Sequence, residues 1–171
     1  ALLFDWVPAS QPKDGEVFIV DGPGEYEYKG VTIQGIASFH DDQGGKKDGA
    51  NTIYRVEIED VALLHMGDFG ENELRPEVKE KIGNIDIMFL PIGGNTVMDA
   101  ETAAEIANQI EPKIIIPMHY DQASDAKKKA IVKEFLEETG AHNAKPEEKL
   151  TVKKKDLPEK ETKVVLLEPS I

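Results

Sequence analysis

What most restricts the fold of this chain is a change of hydrophobic period at Asp68. Before it, β-type residues recur at every second position, with Val31 and Ile33, then Thr52, Tyr54, Val56 and Ile58, leading into the apolar run Val61–Leu64. A period of two belongs to strands that lay one face on a core. After Asp68 the spacing is helical: Leu74, Val78 and Ile82 share a face that Gly83 can stop, and Ala103, Ile106, Ala107 and Ile110 share another, opened by Asp99 and closed by Pro112. Ile85–Leu90 and Lys113–Met118 lie between these faces and read as strands. A β-meander followed by alternating helix and strand predicts an α/β fold with helices packed outside a sheet.

The remaining stretches fill in that plan. Residues 1–16, with Pro8, Pro12 and Gly15, read as an irregular lead-in to a single domain over 17–171. Val17–Val20 reads as a short buried strand stopped by Asp21-Gly22-Pro23-Gly24, and Glu25–Tyr28 alternates as the next strand. Residues 41–50, with Gly44, Gly45 and Gly49, form a loop. Ser124 can cap a helix through Ile131 and Phe135 that ends at Gly140, and Leu150–Val152 and Val164–Leu167 look like closing strands.

Composition narrows the function classes. A net charge of −13 over 171 residues argues against general nucleic-acid or anionic-membrane binding, since phosphate contacts need a basic face. No apolar run approaches a membrane span and no signal peptide is visible, so the cytoplasm is the default compartment. With no cysteine there is no disulfide, thiolate metal ligand or cysteine nucleophile. A metal would have to be held by His and carboxylate, which suits zinc, manganese or iron.

Three apolar runs each end on a metal-competent side chain: Phe39-His40-Asp41-Asp42, Leu64-His65-Met66-Gly67-Asp68, and Ile116-Pro117-Met118-His119-Tyr120. Two histidines and an aspartate can hold a divalent ion, which lowers the pKa of bound water and makes hydroxide available. Each residue also has an ordinary reading, because Gly-Asp is a common turn and a lone histidine at a strand end is more often structural. His65 is expected as a packed or supporting histidine, with contact to a bound ligand as its other reading, His142 as a surface loop residue, and Asp41 and Asp42 as partners that orient His40. Gly93 and Gly94 read equally well as a close backbone approach to the site or as a plain strand-to-helix turn. Tyr120 has packing and a hydrogen bond to a bound oxyanion as its two readings.

Taken in order, Phe18-Ile19-Val20-Asp21-Gly22-Pro23-Gly24-Glu25-Tyr26-Glu27, His40-Asp41, His65-Met66-Gly67-Asp68, Leu90-Pro91-Ile92-Gly93-Gly94 and Ile116-Pro117-Met118-His119-Tyr120 resemble the metallo-β-lactamase superfamily, in its UlaG-like, Zn-dependent hydrolase branch. The resemblance implies an αββα sandwich with metals at one edge of two packed sheets. It implies His40, Asp68 and His119 as ligands of a divalent metal, zinc first, with Asp68 the bridging carboxylate, and Asp68 and His119 carrying the chemistry. The implied reaction is attack of metal-bound hydroxide on an ester, amide or phosphoester of a small-molecule substrate. The family's main motif, His-x-His-x-Asp-His, is not in this sequence, which has no histidine before His40. The resemblance thus covers largely the C-terminal portion of the fold, incomplete at its N-terminal side. That leaves a second reading: a half-site or non-catalytic subunit that self-associates, pairs with a complementary chain, or acts as a scaffold.

Overall fold

The computed structural model describes residues 18–94, 96–120 and 125–168. The period-two stretches become four strands, β1 (Gly24–Tyr28), β2 (Val31–Phe39), β3 (Ala50–Ile58) and β4 (Val61–His65), each antiparallel to the next. Past Asp68 come α1 (Pro76–Ile82), β5 (Ile87–Pro91), α2 (Ala100–Ile110), β6 (Ile114–Met118) and α3 (Asp125–Glu138). The chain then forms β7 (Pro146–Glu147), a 3₁₀ turn over Lys154–Asp156, β8 (Lys163–Val164) and β9 (Leu166–Leu167). The large sheet has seven strands in the order β1-β2-β3-β4-β5-β6-β8, and β7 and β9 pair apart from it. From β4 to β8 the pairing is parallel, so β4 is where the sheet changes from antiparallel to parallel.

The mixed α/β class expected from the period change is what forms. Helices α1, α2 and α3 cover one sheet face, where Val78, Ile82, Ala103, Ile106 and Phe135 bury against Ile36, Ile53, Leu64, Met88, Leu90 and Ile115. The caps follow the sequence: Asp99 accepts from the Thr102 N–H at 2.9 Å, and α2 ends on Glu111 before Pro112. The opposite face carries an apolar row running directly from strand to strand: Tyr26, Ile33, Val56, Leu63, Ile87, Ile114. There a smaller core gathers Ile87, Ile114 and Ile116 under Leu157 and Val165.

Some local expectations change. Phe18–Val20 is not a strand; Phe18 and Ile19 are 46% and 72% exposed, and the Phe18 ring stacks on Tyr28 at 5.0 Å. The Phe18 ring lies against the Tyr26 and Tyr28 rings of β1, and the segment makes no strand pairing with it. Leu150–Val152 stays irregular, because the short parallel pairing with β9 is made by Pro146–Glu147. Val164–Leu167 is divided between two sheets. The lead-in expected over 1–16 and the Ser124 cap lie outside the described residues.

Candidate metal centre

Strand direction brings the candidate residues together. Strands β2, β4, β5 and β6 run the same way, so their C-terminal ends share one edge of the sheet. His40 follows β2, Asp68 follows β4 after a two-residue turn, Gly93 and Gly94 follow β5, and His119 follows β6. At that edge His40 Nε2 stands 3.9 Å from Asp68 Oδ2, and His119 Nε2 stands 3.5 Å from Asp68 Oδ1. Each imidazole faces a different oxygen of one carboxylate. Asp68 is half exposed, while the two histidines keep only about a fifth of their side-chain surface.

His40 Nε2 is buried and has no hydrogen-bond partner among the described residues. Leaving a buried polar atom unpaired costs about 1–3 kcal/mol, so such an atom calls for a ligand. The spacing agrees with that demand, because two donors about 2.1 Å from one tetrahedral ion stand about 3.4 Å apart. Among the described residues these side chains do not close into a finished cage of three or more donors. The arrangement is one carboxylate between two imidazoles, which fits an ion on either side of Asp68 better than one ion held by all three.

The backbone around each residue is specialised. His119 has φ +61°, a left-handed conformation that costs a non-glycine residue on the order of 1 kcal/mol and collects at functional sites. Gly93 lies against it, since a Cβ there would stand 2.0 Å from the His119 carbonyl oxygen. That is the close approach; Gly94 instead supplies a φ of +66° and donates its N–H to Met98 O at 2.9 Å. Behind His40, the Gly70 N–H donates to Phe39 O at 3.0 Å, and a Cβ on Gly70 would meet His40 O at 2.5 Å.

The expected supporting residues divide. His65 Nδ1 accepts from the Gly67 N–H at 3.1 Å and its ring stacks on Phe89 at 5.7 Å, so it shapes the turn that carries Asp68. Asp41 does not orient the His40 ring. Its carboxylate accepts from the backbone N–H groups of Gln43, Gly45, Lys47 and Asp48 at 2.7–2.9 Å and so organises the loop that follows. Burial opposes its charge, but those N–H groups outweigh burial and hold the carboxyl far below its usual range. Asp42 accepts from Asn72 at 3.4 Å. Tyr120 packs against the core with Lys128 over its ring and, with the exposed His142, lines a groove of about 670 Å³ beside α3. A smaller cavity of about 260 Å³ adjoins His40, lined by Asp41, Lys47, Gly70, Gly94 and Met98 among others. It is the cavity at the candidate centre; the larger groove has none of the three residues in its wall.

Three contributors had no signal in the sequence. Glu71, nearly buried, accepts from the Phe39 N–H at 3.1 Å and from Arg75 Nε at 2.8 Å, and Arg75 reaches Ala37 O at 3.1 Å. Together they clamp the end of β2 that presents His40. Asn51, at the start of β3, touches both β2 and the Asp68 turn.

Comparison with known proteins gives the family of this fold. The model of the Beta-lactamase superfamily domain matches residues 8–119, more than half of the chain. The chain belongs to the beta-lactamase superfamily. It is 35% identical over 102 residues to a UPF0173 metal-dependent hydrolase of Pyrococcus horikoshii, an overlap of 57% of this chain and 44% of the relative. A UPF0173 metal-dependent hydrolase of Staphylococcus carnosus is 30% identical over 105 residues, covering 57% and 45%. The aligned part thus spans less than half the length of these relatives. Among solved structures, a metallo-β-lactamase superfamily protein of Thermotoga maritima, taken to be a Zn-dependent hydrolase, superposes with a TM-score of 0.69 at 32% identity over 86% of this chain and 70% of that one. A Parabacteroides distasonis protein superposes at 0.51 with 22% identity over 67% and 52%, which speaks for the fold alone. Among the described residues no helix is long and apolar enough to cross a membrane.

Proposed function

We propose that this beta-lactamase superfamily chain is part of a metal-dependent hydrolase whose centre lies at His40, Asp68 and His119. The observation that carries the proposal is the buried, unpartnered His40 Nε2 aimed at Asp68, with His119 Nε2 on the other oxygen of the same carboxylate. Nitrogen and carboxylate donors without a thiolate suit zinc first, with manganese or iron as the other choices. When bound, a divalent ion supplies an activated water and polarises the bond to be cleaved, in an ester, amide or phosphoester. The chain's own part is to hold the donors: His40 and His119 present Nε2, and Asp68 offers one oxygen to each side. The names of the relatives in Pyrococcus horikoshii and Staphylococcus carnosus support a metal-dependent hydrolase, and the donor set supports zinc. A small-molecule substrate and a cytoplasmic location belong to the same proposal.

The test is calorimetric titration of the 171-residue chain with zinc and with manganese, beside His119→Ala. Saturable binding by the wild type and at least tenfold weaker binding by the variant support the centre. No binding, or equal binding by the variant, removes it.

The half-site reading rests on the donor set: His40, Asp68 and His119 alone fall short of a full zinc coordination, and no His-x-His-x-Asp-His stands in this sequence. A second copy or a complementary chain would supply the further donors. Sedimentation showing a monomer at all concentrations would set it aside.

A further inference from the structure

We propose that Asn51 is a positioning residue of the candidate centre: its side-chain amide fixes the separation of His40 and Asp68 by tying together the strand ends that carry them. The inference rests on the metal-binding reading above and adds a residue that neither the sequence pattern nor the family match singles out.

Asn51 is where it is because β3 runs against β2 and β4. The start of β3 therefore lies at the edge where its two neighbours finish, and Asn51 pairs across from Ser38, two residues before His40. Asn51 Nδ2 donates to Ser38 Oγ at 2.8 Å and to Met66 O at 2.9 Å, while Oδ1 accepts from the Asp68 N–H at 3.0 Å. The amide orientation follows from its partners, since Met66 O only accepts and the Asp68 N–H only donates. One planar group thus spans β2, β3 and the turn after β4.

The turn is shaped around this amide. Gly67 has φ +60°, and a Cβ on it would stand 2.4 Å from Asn51 Oδ1, so the backbone passes where no side chain fits. Ser38 is 2% exposed and gives the amide a buried anchor on the strand that ends at His40. No other residue type offers two donors and an acceptor at this reach: Asp loses the donors, Ser the length, and Gln adds a carbon. Outer partners of metal ligands typically change metal affinity 10–100-fold when removed.

The test uses the 171-residue chain with Asn51→Ala, the milder Ser38→Ala, and Asp86→Asn at the opposite sheet edge as a control for simple destabilisation. In the metal-free protein, hydrogen exchange of the Asp68 amide is expected to quicken at least tenfold in Asn51→Ala, with the Val56 amide of central β3 unchanged. Zinc affinity is expected to fall 10–100-fold in Asn51→Ala, a few-fold in Ser38→Ala, and less than twofold in Asp86→Asn. An Asp68 amide as protected in Asn51→Ala as in the wild type overturns the proposal. So does an equal loss of zinc affinity in Asp86→Asn. Should the wild type bind no zinc, the metal-binding reading falls, and the exchange measurement alone decides whether Asn51 sets the turn.

Discussion

Gly93→Ala probes how tightly the centre is built. The new Cβ would stand 2.0 Å from His119 O, 3.0 Å from its carbonyl carbon and 3.2 Å from its Nδ1. Ordinary contact begins near 3.4 Å, so the two backbones must part by about 1.4 Å. The obstacle is a carbonyl oxygen, and no side-chain rotation relieves it. Overpacking of this kind costs about 1–3 kcal/mol, which in a chain of this size is roughly 2–12 °C in Tm. The larger consequence is local. His119 holds φ +61° beside this glycine, and moving it by about an ångström spoils its 3.5 Å approach to Asp68. Zinc affinity is expected to drop at least tenfold, as when the support of a ligand is removed. Gly94→Ala is the matched control: no atom lies within 4 Å of its Cβ, yet φ is +66°, so it pays about 1–2 kcal/mol of backbone strain without pushing His119. Thermal unfolding and zinc calorimetry on both variants separate the two effects. If Gly93→Ala melts and binds zinc as the wild type does, or if Gly94→Ala loses more zinc affinity, the close approach does not hold the centre.

Two carboxylates away from the chemistry give independent checks. Burial disfavours the charge of Asp86, but the Lys113 and Lys154 ammonium groups at 2.8 and 2.7 Å and the Ala62 N–H outweigh it and hold the carboxyl at about 2 instead of 3.8. A depressed carboxyl contributes stability above its ordinary pKa and loses it as pH falls from about 4 through about 2. The full shift is worth roughly 2 kcal/mol, and about 1 kcal/mol after allowing for the exposed lysines. Urea midpoints of Asp86→Asn should therefore lie below the wild type at pH 6 and converge with it near pH 2; a constant gap would contradict the assignment. Asp41→Ala should speed hydrogen exchange at the amides of Gln43, Gly45, Lys47 and Asp48, with the His40 N–H still bonded to Gly49 O at 3.0 Å. Continued protection of those amides would show that the loop stands without its carboxylate.

What the sequence reveals and what it hides follow from range. The period change at Asp68, the Asp99 cap and the Gly83 stop are local, and each appears where its residues put it. Phe18–Val20 fails as a strand because an apolar run does not say what its side chains will meet: Phe18 lies against two tyrosine rings and Ile19 stays largely exposed. Asp41 is misjudged for a similar reason: adjacency to His40 suggests help for the ring, whereas a short carboxylate before a glycine-rich loop satisfies nearby N–H groups first. Glu71, Arg75 and Asn51 are invisible as site residues because their partners on β2 and the Asp68 turn lie 13–38 residues away and depend on which strands become neighbours.

Topology also explains why the centre can be strong in placement and open in coordination. Four parallel-running strand ends deliver His40, Asp68, the Gly93-Gly94 turn and His119 to one edge, with Asp68 following β4, where the sheet changes from antiparallel to parallel. The antiparallel β3 adds something the parallel strands lack, a strand start at that same edge, and Asn51 uses it to reach both neighbours. Three donors fall short of the four that a zinc ion takes, and sharing Asp68 between two sides leaves each side with fewer still. Were zinc bound here, its remaining positions would fall to water or to donors from outside this constellation. Affinity for a first ion is therefore expected to be modest, and a His40→Ala variant should weaken binding without abolishing it, because His119 and Asp68 still form a pair. Complete loss in that variant would mean one ion shared by both histidines, contrary to the separate 3.9 and 3.5 Å approaches to the two Asp68 oxygens.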